Sequence, residues 1–189
     1  MVPMNEVQVL VLPGWQGSGP GHWQTAWERM YGDLRVQQHD WDQPRRGDWL
    51  ARLDEVVVDA GERPLVLVAH SLGCVLTAAW ARFSRHAGKV CGALLVAPPD
   101  IEREQMRALL PGWAPIERGR LPFDSIVVAS RDDPYCAFED ADALARGWGA
   151  RLVDAGPRGH INAESGLGDW AAGRALLQPW LQAAPGRGG

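Results

Sequence analysis

Residues 65–73 read Leu-Val-Leu-Val-Ala-His-Ser-Leu-Gly, and an amphipathic run, residues 74–83, follows them without a break. The unbroken apolar start of this stretch is typical of a strand that is buried on both faces of a parallel sheet. The residues after Ser71 have helical spacing, so the serine lies on a tight turn between a strand and a helix. This succession of strand, turn and helix predicts an α/β fold.

Strand and helix alternate along the rest of the chain, as expected for helices that cover both faces of a mostly parallel sheet. Short apolar runs predict six strands, at residues 7–12, 36–40, 65–69, 91–97, 125–129 and 151–154. Helical periodicity predicts helices at residues 22–31, 48–59, 72–86, 138–148 and 168–182. Residues 102–122 interrupt the alternation, because a helix-like stretch is followed by several prolines. We expect this segment to pass over one edge of the sheet.

The chain has 189 residues, 19 basic and 23 acidic, and a formal net charge of −4. Its length predicts one domain, residues 1–182, followed by a flexible tail, residues 183–189. Neither charge forms a long block, which argues against a nucleic-acid partner. No apolar stretch approaches the roughly 20 residues that cross a bilayer, so no membrane partner is expected.

The cysteines and the N-terminus bear on the compartment. The chain has three cysteines, Cys74, Cys91 and Cys136, whose number and spacing indicate neither a disulfide framework nor a metal site. No basic residue precedes the first apolar run, as it would in a signal peptide. The expected location is therefore the cytoplasm.

The turn at Ser71 fits a motif that presents a nucleophilic serine between a buried strand and a helix. Ala69 stands where the first glycine of G-x-S-x-G would be, and alanine is small enough to keep the turn. An ordinary strand-to-helix turn with Ser71 as the helix cap is the alternative. The motif predicts a nucleophile if a base and an acid accompany it.

Both partners follow in the order that this motif requires, serine, then acid, then histidine. Asp133 follows the fifth predicted strand and His160 follows the sixth. Both therefore lie at the carboxyl ends of strands, where sites form in open α/β sheets. We predict a catalytic triad of Ser71, Asp133 and His160. Asp132 and Asp100 compete with Asp133 for the role of the acid, and Asp100 also follows a predicted strand.

An oxyanion formed during attack by a serine needs hydrogen-bond donors. The backbone N–H of Leu72, directly after the nucleophile, supplies one of them. We assign the second to the N–H of Trp15, since Gly14 lets the chain turn after the first strand. A dinucleotide-binding loop is the alternative, but Gly14-x-x-Gly17-x-Gly19 does not match G-x-G-x-x-G. Neither a cofactor nor a metal ion is expected.

Two further side chains are candidates for contact with a substrate. His22 follows the glycine-rich run 17–21 and either lines the site or marks the start of a helix. Trp41 and Trp15 are the tryptophans, among ten, that we assign to the site. The others are expected to pack in the core.

Taken together, these motifs resemble the α/β-hydrolase superfamily and, within it, the small YdeN-like serine hydrolases related to the retinoblastoma-binding serine hydrolase. The resemblance covers nearly the whole chain and rests on residues 13–15, 22–23, 39–44, 48–49, 69–73, 130–134 and 159–162. It implies a compact α/β-hydrolase fold without a large cap domain, the triad named above and no cofactor. It does not imply retinoblastoma binding, which is associated with L-x-C-x-E, because residues 72–76 read Leu-Gly-Cys-Val-Leu.

The expected function is that of a serine hydrolase that cleaves a small ester, thioester or amide through an acyl-enzyme intermediate. The expected partner is thus a small-molecule acyl substrate, and the shortness of segment 102–122 predicts short acyl groups. A non-catalytic protein-interaction module on the same fold is the alternative, because fold does not fix function. A lyase or haloperoxidase-like activity is a third.

Overall fold

The sheet has six strands: β1 (Gln8–Leu12), β2 (Leu34–Arg35), β3 (Leu65–His70), β4 (Val90–Val96), β5 (Asp124–Ala129) and β6 (Arg151–Asp154). They lie in the order β2-β1-β3-β4-β5-β6, and every neighbouring pair is parallel. These coordinates come from a computed structural model that describes residues 6–182. The α/β fold with a parallel sheet is thereby confirmed. The tail expected at residues 183–189 lies outside the described residues.

Seven α-helices connect and cover the strands: α1 (Trp23–Tyr31), α2 (Arg46–Asp59), α3 (Leu72–Phe83), α4 (Glu104–Leu109), α5 (Phe138–Trp148), α6 (Ala171–Ala175) and α7 (Gln178–Gln182), as counted over residues 6–182. The bounds of α5 agree with the sequence-based expectation. Helix α3 ends three residues earlier than expected, because Ser84 is extended with φ −75° and ψ 138°. None of the helices in the described range is long and apolar enough to span a membrane.

The two faces of the sheet support two apolar cores, because alternate residues of a strand point to opposite sides. On β3, Leu65 and Leu67 join the core formed with α2, α3 and α5, whereas Val66 and Val68 join the core formed with α1 and α7. All six residues of β3 are buried, as expected for a central strand of a parallel sheet. Because all neighbouring strands are parallel, their carboxyl ends lie along one edge of the sheet, and the site forms at this edge.

Strand β2 differs from the prediction of a strand at residues 36–40. The observed pairing joins Leu34 and Arg35 to β1, and one further backbone bond runs from the N–H of Val36 to the carbonyl of Val11. Beyond Val11, the chain after β1 cannot continue the hydrogen-bonded ladder, because Pro13 lacks an N–H and the chain turns away. His39, which we expected inside a strand, therefore lies in a loop.

The helix predicted over residues 168–182 is in fact two short helices, α6 and α7. Gly168 and Trp170 have left-handed backbone angles, with φ of 58° and 44°, so the helix begins only at Ala171. Pro179 has no N–H to donate to the carbonyl of Ala175, four residues earlier, so α6 cannot continue into α7.

Residues 102–122 form the expected excursion between β4 and β5, and they contain the short helix α4. Trp113 anchors this segment, because its side chain is fully buried and its indole Nε1–H donates to the carbonyl of Pro44 at 2.9 Å. Met106 and Leu110 are buried against the same core. The excursion is therefore packed onto the domain and is too short to form a separate cap.

Candidate active site

Ser71 occupies the sharp turn between β3 and α3. Its backbone has φ 54° and ψ −123°, a conformation that residues other than glycine rarely adopt. The N–H of Ser71 donates to the carbonyl of Val96 at 2.9 Å, and its own carbonyl accepts from the N–H of Cys74 at 2.9 Å. The backbone is thus held on both sides of the strained residue, as expected at functional sites. Ala69 does not prevent the turn.

The side chains of Ser71, His160 and Asp133 form a continuous hydrogen-bonded chain. His160 Nε2 lies 2.8 Å from Ser71 Oγ, and His160 Nδ1 lies 2.9 Å from one carboxylate oxygen of Asp133. A carboxylate can only accept, so Nδ1 carries the proton and Nε2 accepts from the serine hydroxyl. The side chains of His160 and Asp133 are 10% and 3% exposed. The arrangement can move a proton from the serine to the imidazole.

The two competing acids have other partners. Asp132 accepts from the N–H of Gly159 at 2.7 Å and from the hydroxyl of Ser130 at 2.8 Å. These bonds lower the pKa of the Asp132 carboxyl, the bond from Gly159 having the larger effect. Asp100 accepts from the N–H of Glu102 at 3.1 Å and pairs with Arg103. Asp132 therefore braces the loop before His160, and Asp100 braces the start of the excursion.

The loop after β1 lies against the turn at Ser71. A β-carbon added to Gly14 would lie 2.9 Å from Ser71 Cβ and 3.0 Å from the backbone nitrogen of Leu72. Only glycine permits this approach, which brings the loop that contains Trp15 next to the first residue of α3. The N–H of Leu72 is one of the amides that the first turn of a helix leaves without an intrahelical partner.

Trp41 packs against this loop. It is not among the residues that line the cleft above Ser71. Its carbonyl accepts from the N–H of Gln16 at 2.9 Å, and its ring packs 3.5 Å from the position of a β-carbon on Gly17. The indole of Trp15 donates to the carbonyl of Asp42 at 2.9 Å. Trp41 can thus affect a bound substrate only indirectly, by holding the loop that contains Gln16 and Gly17 in position.

A cleft of about 340 Å³ opens above Ser71. One part of its wall is apolar and includes Pro99, Met106 and Leu110, the last two from the excursion. The other lining residues include no Asp, Glu, Lys or Arg: Trp15, Gln16, Gly17, His22, His70, Ser71, Leu72, Tyr135, His160 and Asn162. Tyr135 and Asn162 were not predicted to line the site, although they lie two residues after Asp133 and His160 respectively.

His22 lines the cleft and also caps α1, so both interpretations made from the sequence describe it. Its Nδ1 accepts from the N–H of Gln24 at 3.1 Å, which is the bond of a helix cap. Its side chain is buried, and burial, then Arg35, then His160 lower its pKa to about 4. The imidazole is therefore neutral at pH 7.

His70 holds His160 in place through the backbone. Its Nε2 donates to the carbonyl of His160 at 2.8 Å, and the two rings lie 5.0 Å apart. Complete burial holds its pKa well below the usual range, so the ring is neutral. No signal in the sequence separated this role from that of a core residue, because the partner is a backbone atom 90 positions away.

Neither Cys74 nor Cys136 is suited to take part in this chemistry. Burial raises the pKa of the Cys74 thiol well above its usual value, and burial with Asp133 as the next cause raises that of Cys136 to about 12. Both are thus protonated and poorly nucleophilic at neutral pH. Within residues 6–182, no group of three or more His, Cys, Asp or Glu side chains has the arrangement of a metal site.

The chain as a whole is similar to known proteins. A family model described as "Serine hydrolase" matches residues 9–179, which is most of the chain. A comparison with curated proteins found no match.

Solved structures are similar over almost the whole chain. A protein described as a YdeN-like hydrolase from Pectobacterium atrosepticum superposes with a TM-score of 0.82 at 27% identity, covering 95% of this chain and 94% of that one. The ydeN gene product of B. subtilis gives a TM-score of 0.74 at 22% identity, covering 93% and 98%. Est1E from Butyrivibrio proteoclasticus, solved with ferulic acid, gives 0.74 at 13% identity, covering 96% and 92%. The last two similarities bear on the fold alone.

Proposed function

Because this chain belongs to the serine hydrolase family, we propose that it cleaves a small carboxylic ester, thioester or amide through an acyl-enzyme formed on Ser71. The observation that carries the proposal is the contact of 2.8 Å between Ser71 Oγ and His160 Nε2, with Asp133 bound to the other ring nitrogen. A serine hydroxyl is a weak nucleophile at neutral pH unless such a base removes its proton.

In the first half of the reaction, Ser71 Oγ attacks the carbonyl carbon of the substrate while its proton passes to His160 Nε2. Asp133 keeps the imidazole in the required tautomer and stabilises the imidazolium. The tetrahedral intermediate collapses as His160 returns the proton to the leaving oxygen, sulfur or nitrogen. In the second half, water attacks the acyl-enzyme with the same histidine as base and releases the acid.

The negative charge on the carbonyl oxygen needs donors that are already in place. We assign this role to the backbone N–H groups of Leu72 and Trp15. The assignment is supported by the close approach of Gly14 to Ser71 and Leu72. No metal or cofactor enters any step of this proposal.

The substrates that suit the cleft have short acyl groups. The cleft of about 340 Å³ is near the lower end of the range for small-molecule sites. Met106 and Leu110 limit it on the side of the excursion, and both are packed into the core behind them. A carboxylic acid of a few carbons is the product that we expect here.

The test is a panel of p-nitrophenyl esters with acyl chains from two to ten carbons, with a butyryl thioester and a butyryl amide beside them. We expect the highest kcat/KM at two to four carbons and no such turnover by Ser71→Ala. A higher kcat/KM for the ten-carbon ester would contradict the assigned size of the acyl site. Absence of hydrolysis of every member by the folded protein would favour a non-catalytic interaction module instead.

A further inference from the structure

One residue that lines the cleft has a buried polar atom for which no described residue supplies a hydrogen-bond partner. His22 lines the cleft but is only 4% exposed, and its Nε2 is buried without a hydrogen-bond partner among residues 6–182. Leaving a buried polar group unpaired costs stability, so such a group in a native site calls for an explanation.

The contacts of His22 fix which form of the ring is present. Nδ1 accepts from the backbone N–H of Gln24, so this nitrogen cannot carry a proton. The ring is neutral at pH 7, since burial as the main cause lowers its pKa to about 4. The single ring proton therefore lies on Nε2, and the side chain is a neutral donor.

The contacts of His22 hold its ring in place. The ring centroid lies 4.6 Å from that of His70 and 5.2 Å from that of Trp23, and Nδ1 is bound to the N–H of Gln24. Gln24 is itself fully buried, and its side-chain amide donates to the carbonyl of Val68 at 3.0 Å, which fixes the start of α1 on the sheet. A donor held in this way is suited to recognition, because little order is lost when a ligand binds.

The position of His22 relates it to the leaving group of the substrate. His160 Nε2 must deliver its proton to the leaving group, which therefore lies on the side of this histidine. Segment 17–22 meets the turn that follows His160, since a β-carbon on Gly21 would lie 3.7 Å from Ala163 Cβ. Asn162, on the same turn, also lines the cleft, and its side-chain oxygen Oδ1 accepts a hydrogen bond from the N–H of Glu164. Its side-chain NH₂ is thus a second neutral donor on this side.

We propose that His22 Nε2–H recognises an uncharged oxygen acceptor, such as an ether or hydroxyl oxygen, in the leaving group of the substrate. This inference rests on the proposed hydrolase function and names the class of alcohol that the site prefers. No Asp, Glu, Lys or Arg side chain lines the cleft in the described part of the chain, which fits a neutral leaving group.

The test uses three esters that differ by one exchange of CH₂ for oxygen. They are n-butyl butyrate, 2-methoxyethyl butyrate with the ether in the leaving group, and n-butyl methoxyacetate with the ether in the acyl group. The variant is His22→Asn, because asparagine is a good helix cap and keeps an acceptor for the N–H of Gln24 while it removes Nε2. The ratio of kcat/KM for each ether to that of n-butyl butyrate cancels general damage to the site.

We expect the ratio for 2-methoxyethyl butyrate to fall by about three- to tenfold in His22→Asn, as for the loss of one neutral hydrogen bond, and the ratio for n-butyl methoxyacetate to stay constant. Thr25→Ala is the matched control, because it removes the bonds of Thr25 to Ser18 and Arg35 but no group that lines the cleft. An unchanged ratio, a fall confined to the acyl-side ether, or an equal fall in Thr25→Ala would overturn the proposal. Failure of the wild type to hydrolyse n-butyl butyrate would instead count against the hydrolase function itself.

Discussion

At the scale of single residues, the site depends on which nitrogen of each histidine carries its proton. His160 has its Nδ1 proton directed at Asp133, which leaves Nε2 to accept from Ser71. His22 and His70 lie close by, and burial keeps both neutral. Two neutral rings beside His160 add no positive charge to the imidazolium that forms on it. The three histidines lie close together but make different hydrogen bonds: His160 with Ser71 and Asp133, His22 with the N–H of Gln24, and His70 with the carbonyl of His160.

The acid of the triad can be tested by replacing three aspartates one at a time. Asp133→Asn should lower kcat by roughly 10⁴, a scale taken from the same change in a serine protease, because an amide favours the wrong tautomer of His160. Asp132→Asn and Asp100→Asn should each cost less than about tenfold, since an asparagine keeps an oxygen acceptor. All three are measured with one short ester near neutral pH, after circular dichroism has shown that they fold.

A crippled Asp100→Asn beside a nearly normal Asp133→Asn would assign the acid to the end of β4. A loss in Asp132→Asn as large as that in Asp133→Asn would mean that bracing of Gly159 matters as much as orientation of the ring.

The sequence was sufficient to predict that Ser71, Asp133 and His160 lie close together. Each follows a run of apolar residues that forms a strand, and the structure brings their side chains into contact. His70 could not be assigned in this way, because its partner is the backbone of a distant residue. The position of Trp41 beneath the loop was also hidden, since the sequence does not tell which face of a loop packs inward.

At the scale of elements, the turn between β3 and α3 depends on two close approaches of the loop after β1. A β-carbon on Gly73 would lie 2.3 Å from the carbonyl oxygen of Leu12, which is a backbone atom that cannot move aside. A β-carbon on Gly14 would meet the backbone and side chain around Ser71. The nucleophile and the proposed oxyanion donors are thus positioned against each other by contact.

Gly14→Ala should therefore lower both activity and stability. The added methyl group pushes the loop away from Ser71 by a few tenths of an ångström or more, and we expect kcat for a short ester to fall by at least about tenfold. The free energy of unfolding should fall by about 1–3 kcal/mol, as for overpacking of a close-packed region. The measurements are steady-state kinetics and unfolding in urea.

Gly19→Ala is the matched control in the same loop, because a β-carbon there has no heavy atom within 4 Å and the residue has no left-handed backbone angle. It should leave kcat within about twofold of wild type. Equal losses in the two variants would mean that the loop tolerates no substitution for reasons unrelated to Ser71.

The alternation of strands and helices was predictable because most elements are long and strongly periodic. The errors lie where a contact or a single residue decides the outcome. Strand β2 is short because β1 ends before Pro13, and this limit on pairing is invisible in the residues of β2 itself. The last predicted helix starts late because Trp170 has a left-handed backbone, and Pro179 divides it into α6 and α7.

At the scale of the whole molecule, the buried histidines couple folding to pH. The pKa of His22 in the folded protein, about 4, lies below its ordinary value of 6.5, chiefly because of burial. Between these two values the unfolded chain binds a proton that the folded chain does not, so stability falls as the pH falls from 7 to 4. His22 alone contributes up to about 3 kcal/mol to this fall. His70 acts in the same direction.

Unfolding in urea at pH 7.0, 6.0 and 5.0 measures this dependence. The wild type should lose stability steadily over the range, and His22→Asn should lose less, because it lacks one of the titrating groups. The same slope in the two proteins would show that His22 does not stay neutral in the folded state.

The proposed mechanism requires that His160 activates Ser71 and that Ser71 is the residue that becomes acylated. Treatment of the folded protein with a fluorophosphonate, followed by peptide mass spectrometry of the adduct, tests both requirements. We predict one adduct, on Ser71, with a labelling rate that falls by orders of magnitude in His160→Ala and no adduct in Ser71→Ala. Labelling of Ser71→Ala at the rate of the wild type, or a major adduct on another residue, would contradict the account.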